Sequence, residues 1–127
     1  MRFLNEIHEE RFSELMKRGN ISERDTERAI AMYVLAGNDA LYSKASRIYD
    51  FEENSFDFDL EENDEGEQEI VWKVGMSSSE EKLALLAFSL YSGRDKVGVV
   101  QLFRVLDNNN TRLALNALAH TYLWLEN

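Results

Sequence analysis

Along most of the chain, apolar residues recur every three to four positions, and short runs of Gly, Asn, Asp and Ser interrupt the pattern. That recurrence marks helices with one face turned to a core. Over 3–18, FLNEIHEERFSELMKR, the residues Leu4, Ile7, Phe12, Leu15 and Met16 fall on one broad face, and Gly19-Asn20 supplies a stop. A second helix is predicted from Ser22, SERDTERAIAMYVLAG. Ser22 and Asp25 stand at capping-box spacing, although Asp is shorter than the preferred Glu. Ile30, Tyr33, Val34 and the alanines form its buried side, and Gly37-Asn38 ends it. Asn38 or Asp39 caps a short third helix, DALYSKASRIY. Connections this short make the three helices antiparallel neighbours.

The period then changes. In SFDFDLE, Phe56, Phe58 and Leu60 alternate with Asp57, Asp59 and Glu61, the two-residue period of a half-buried strand. EIVWKV has β composition, and ENDEGEQ between the two runs holds turn residues, so a hairpin with an acidic tip is predicted. Helical period returns at SSSEE, 77–81, where a serine cap precedes two glutamates at the positive end of a helix. The helix over 79–92 is apolar nearly all round and is predicted to be the most buried element. KVGVVQLFRVL gives a fifth helix, weakened by Gly98 and four valines, and DNNN gives a turn and cap. A last helix from Thr111 to Leu125 carries the stripe Leu115, Leu118, Tyr122 and Leu125, with Leu113, Ala117 and Trp124 beside it.

The expected fold is therefore mainly α: a single-domain bundle of about six helices, with a small acidic β-hairpin inserted after the third helix. Residues 1–49 form the N-terminal helices, 50–75 the acidic hairpin and 76–127 the C-terminal helices. A chain of 127 residues suits one domain with a core of its own.

Charge changes the picture more than composition does. The net charge is −10, from 24 acidic residues against 14 Lys and Arg. Residues 50–69 hold 11 of the acids and no base, so the rest of the chain, with 13 acids, is near neutral. Such a balance argues against direct nucleic-acid binding, which needs cations for phosphates. One concentrated acidic segment favours attraction to a basic surface instead. The absence of cysteine excludes disulfides and thiolate metal sites, and the absence of proline favours unbroken helices. The opening MRFLNEIHEERF has no apolar run of signal-peptide length, and no stretch approaches the ~20 apolar residues of a membrane span. A cytoplasmic protein without membrane contact is expected.

Candidate chemistry is sparse. A calcium-binding EF-hand loop with Gly66 at its sixth position would start at Glu61 and end at Trp72, which cannot ligate a cation. His8 and His120 lie on different predicted helices with no ligand at helical spacing. Asp57 and Asp59 share a strand face, but a working acid–base pair needs burial to separate its pKa values. No nucleophile elbow, phosphate loop or dinucleotide fingerprint occurs. No catalytic residue, metal site or cofactor is expected, and the aromatic residues are read as core.

The runs RAIAMYVLAGN, RIYDF, WKVGMSSS and LLAFSLYSG resemble a family of short uncharacterised proteins of Gram-positive bacteria, their phages and mobile elements. The resemblance covers roughly 28–122, and its most specific pieces are Tyr49-Asp50-Phe51 and the run from Ala87 to Gly93. It implies no activity but does imply a mobile-element context. The acidic stretch between YDF and the Trp is longer than the family pattern, a feature of this member.

These readings converge on an interaction protein rather than an enzyme. Its partner-binding residues are Asp57, Asp59, Glu61, Glu62, Asp64, Glu65, Glu67 and Glu69. Carboxylates spaced along a rigid hairpin imitate a phosphate backbone, so the expected partner is the basic nucleic-acid channel of a host nuclease. The inhibitor would then be of the anti-CRISPR or another anti-defence type. The alternative is a structural or housekeeping interaction module, homo-oligomeric, in which the acids serve solubility alone.

Overall fold

The computed structural model describes residues 1–123 and is mainly α-helical. Among those residues the order is α1 (Glu6–Arg18), α2 (Thr26–Ala36), α3 (Asp39–Ser43), α4 (Ala45–Ile48), β1 (Tyr49–Asp50), β2 (Ser55–Phe56), β3 (Phe58–Glu62), β4 (Gln68–Trp72), α5 (Ser78–Ser92), α6 (Val99–Arg104) and α7 (Asn108–Tyr122). That is seven helices rather than about six, because the predicted third helix is two. Lys44 separates them with φ −99° and ψ 6°. The Ser43 hydroxyl donates to the Ala40 carbonyl at 2.9 Å, competing with helix propagation at that turn.

The most buried helix is α2, not α5. Its residues from Ala29 to Ala36 are all buried, whereas α5 buries Leu83, Ala84, Leu86, Ala87 and Phe88 only. The reason is position: α1, α5 and α7 all pack on α2. Three alanines in that run let neighbouring backbones approach, and Asp25, not Ser22, caps it by accepting the Arg28 amide.

Two other helices sit one step around from the expected face. In α1, Ile7 is 57% exposed and His8 is 2% exposed. The helix starts at Glu6, with Asn5 as its cap, so Phe3 and Leu4 belong to an arm of residues 1–5 packed on the core. In α7, Leu115 is 52% exposed and Tyr122 is exposed, while Leu113, Ala114 and Ala117 face inward. Small side chains allow close helix approach, and here that outweighs the larger leucine stripe. Trp124 and Leu125 lie outside the described residues.

Between α4 and α5 the chain forms two antiparallel ladders rather than one hairpin. β1 pairs with β2 (Tyr49↔Phe56, Asp50↔Ser55), and β3 pairs with β4 from Phe58↔Trp72 to Glu62↔Gln68. Asn54 holds the first turn in place. It adopts φ 53°, donates through Nδ2 to the Gly19 carbonyl at 2.8 Å, and accepts the Tyr49 hydroxyl at 3.1 Å. Its own carbonyl accepts Arg28 Nε at 2.9 Å. One residue thus ties the turn to the end of α1 and the start of α2. Asn54→Ala should cost about 2–4 kcal/mol, from two hydrogen bonds and a left-handed backbone that alanine resists. Asn54→Gly should lose roughly 1 kcal/mol less, because glycine adopts that backbone freely. Equal losses in denaturant titrations would reject the backbone part of this account.

Candidate interaction surface

The acidic segment is not uniform. Its first part, Asp50 to Asn54, is a tight turn in which Asp50 Oδ1 accepts the amides of Glu52 (2.9 Å) and Glu53 (3.1 Å). The guanidinium of Arg18 lies 5.1 Å over the Phe51 ring, so a cation already attends this end.

The second part is the β3–β4 hairpin. Paired residues in an antiparallel ladder share a face. Phe58–Trp72, Leu60–Ile70 and Glu62–Gln68 therefore lie on one face, and Asp59–Val71 and Glu61–Glu69 on the other. The root of the first face is anchored in an aromatic cluster. Phe58 stands 5.1 Å from Phe88 of α5 and 5.6 Å from Trp72, and Phe56 stands 5.6 Å from Phe88. These are edge-on contacts, the preferred geometry for aromatic pairs. Further out, Leu60, predicted on the covered side, is 58% exposed.

The tip is ordered by Asn63. Its side-chain oxygen accepts the amides of Glu65 and Glu67, both at 2.9 Å, and its own amide donates to the Glu67 carbonyl at 2.8 Å. Its Nδ2 reaches Glu69 Oε1 at 3.0 Å. Gly66 takes φ 80°, which closes the loop without a side-chain clash. The turn residues were legible in the sequence; the role of Asn63 as the acceptor that organises the loop was not assigned there.

The eight residues proposed from the sequence separate into four groups. Asp57, at the root, forms a 2.6 Å ion pair with Lys73, whose pKa it raises, with Asp59 and Asp50 adding to the effect. Asp57 is thus a neutralised position. Asp59, Glu61 and Glu69 share one face. Glu62 lies on the opposite face beside Gln68. Asp64, Glu65 and Glu67 are exposed on the tip loop. The seven carboxylates other than Asp57 are exposed, and none forms an ion pair among the described residues. Glu61 directly opposes Glu69, a like-charge pair that a sheet seeking stability alone would avoid.

One other concave feature is committed to the fold. A polar cleft of about 430 Å³ lies where α1, α3 and α7 begin, between Asn5, Asn38 and Asp107. Each of these three side chains already caps its own helix. Among the described residues no three His, Asp or Glu side chains converge to hold a metal ion, and no helix is long and apolar enough to cross a membrane. Calorimetry with calcium, magnesium or zinc is expected to show only weak, salt-sensitive heats; a tight stoichiometric isotherm would contradict the expectation that the chain has no metal site.

The fold and surface define a mainly α protein that carries a small acidic β-arm rooted in an aromatic cluster. The chain belongs to a family of unknown function, DUF6075, whose profile matches residues 1–117. The match takes in the N-terminal arm and α1 as well as the motifs from Arg28 onward. Comparison with curated proteins and with solved structures gave no match.

Proposed function

We propose that this is a non-enzymatic interaction protein whose β3–β4 arm docks on a basic, nucleic-acid-binding protein surface. The observation that supports this most is the arm itself: seven exposed carboxylates from Asp59 to Glu69, without an ion pair among the described residues, on a hairpin whose root and tip are both held. Fixed charge costs little further ordering when a partner binds, unlike charge on a mobile loop. Repulsion among these carboxylates falls further when a partner brings cations. The resemblance to proteins of phages and mobile elements suggests the kind of partner: a host nuclease whose nucleic-acid channel the arm occupies, as an anti-defence inhibitor would.

The test is capture from host lysate with three baits. The wild-type protein is compared with an arm variant (Asp59→Asn, Glu61→Gln, Glu67→Gln, Glu69→Gln) and a helix variant (Glu6, Glu9, Glu10 and Glu27 each→Gln). A protein retained by the wild type and the helix variant, lost with the arm variant and displaced by duplex DNA, is the expected result. Retention by all three baits would mean that neither set of acids carries the binding and would leave the arm a solubility device.

A further inference from the structure

The two histidines take no part in the acidic arm, yet both hold the same piece of chain. Residues 1–5 cross the face formed by α1, α2 and α7. The Leu4 amide donates to His8 Nδ1 at 3.0 Å, and the Arg2 amide donates to His120 Nε2 at 2.9 Å. The Tyr33 hydroxyl donates to the Arg2 carbonyl. Phe3 packs its ring at 5.2 Å from His8, 5.4 Å from Phe12 and 5.7 Å from Tyr33. His8 Nε2 lies 2.8 Å from the Tyr33 carbonyl, which can only accept. With Nδ1 accepting and Nε2 donating, His8 is the neutral imidazole, in one tautomer set by its partners.

We propose that residues 1–5 form a clasp that acid opens: a proton on His8 Nδ1 removes the acceptor of the Leu4 amide and sets two donors against each other, which frees the arm and uncovers Phe12 and Tyr33. His8 has no compensating arrangement, because Nε2 is already engaged and the ring is buried at 2% exposure. His120 is different. When protonated it loses the Arg2 amide but faces the Arg2 carbonyl at 3.4 Å, so it exchanges one partner for another. His8 is therefore the trigger and His120 a lesser contributor.

The surroundings favour the neutral form. His8 is lowered from 6.5, first by burial and then by His120, against the upward pull of its bond to the Tyr33 carbonyl. His120 is lowered by burial, by the Met1 amino group and by Arg2, against its contact with the Arg2 carbonyl. The charged groups bearing on the pair are thus cationic. Tyr33, pushed up to about 12 chiefly by burial, stays a neutral donor throughout. An unfolded histidine takes its proton near 6.5, and these folded ones do so lower, so their contribution to stability is complete above about 6.5 and falls as the pH drops through that value towards the folded pKa.

The experiment is amide exchange by NMR at pH 7.5 and 5.0, each rate divided by its intrinsic value, alongside titration of the His8 ring. The Leu4 protection factor should fall about tenfold or more while that of Leu35, inside α2, changes by less than about twofold, with a midpoint matching the His8 ring. In His8→Gln, whose amide can accept from Leu4 and donate to Tyr33 without titrating, Leu4 protection should not depend on pH. Should that variant fail to fold, His120→Gln still decides, because there the acid response of Leu4 must persist. The proposal is overturned if Leu4 and Leu35 lose protection together, if Leu4 stays protected after the His8 ring has titrated or because it does not titrate, or if His120→Gln abolishes the response.

Discussion

Leu35→Ala is expected to lower the unfolding free energy by about 3 kcal/mol, within the roughly 2–5 kcal/mol range of buried leucine truncations. Leu35 is fully buried in α2, the helix that α1, α5 and α7 all contact. Elements on several sides cannot all close on a vacated side chain, so most of the cavity would remain. Leu115→Ala is the control. Leu115 leads the stripe expected to bury α7, but it is 52% exposed, and its truncation should change stability by less than about 0.5 kcal/mol. Denaturant titrations read both values. Comparable losses would mean that the orientation of α7 or the centrality of α2 is wrong.

The second large effect concerns association. Neutralising Asp59, Glu61, Glu67 and Glu69 should slow encounter with a basic partner by about tenfold or more at low salt, because complementary fields steer the approach. Four charges removed from the α1 and α2 region should have a much smaller effect. At physiological salt the Debye length is about 8 Å, so distant charges are screened from a contact made by the arm. The arm variant should also lose most of its salt dependence. Its melting temperature should stay level or rise slightly, since Glu61 and Glu69 oppose one another across the ladder. Asp57 is left out of this set because removing it would strand Lys73. Surface plasmon resonance at two ionic strengths separates the cases: equal slowing in both variants would make net charge, not the arm, the determinant.

The division of the acidic segment shows how chemistry and packing share the outcome. Alternation of Phe58 and Leu60 with Asp59 and Glu61 is enough to predict a strand, and turn residues before Ile70 predict its partner. Sequence does not say that Asp57 meets Lys73, because the two are sixteen positions apart and only the ladder register brings them together. Nor does it say that Leu60 is bare, because alternation marks a strand face but not what packs on it. Asn54 is hidden for a similar reason: its partners Gly19 and Arg28 are 35 and 26 residues away.

Local chemistry by itself marked several of the helix ends of this protein. Gly19, Gly37 and Gly93 end α1, α2 and α5, while Asn38 and Ser77 cap α3 and α5. These signals act within one turn, so the sequence contains both partners of each interaction. Charge segregation into one segment was likewise complete in the sequence. Which face of each helix turns inward was a tertiary decision. His8 displaces Ile7 from the core because its ring nitrogens meet Leu4 and Tyr33 at hydrogen-bonding distance. Ala114 and Ala117 displace Leu115 because α7 packs against α2 and α5 through its small side chains. A helix with apolar residues on more than one side has several faces of similar hydrophobic gain, and the choice among them falls to the specific polar partners and close approaches that only the assembled fold provides.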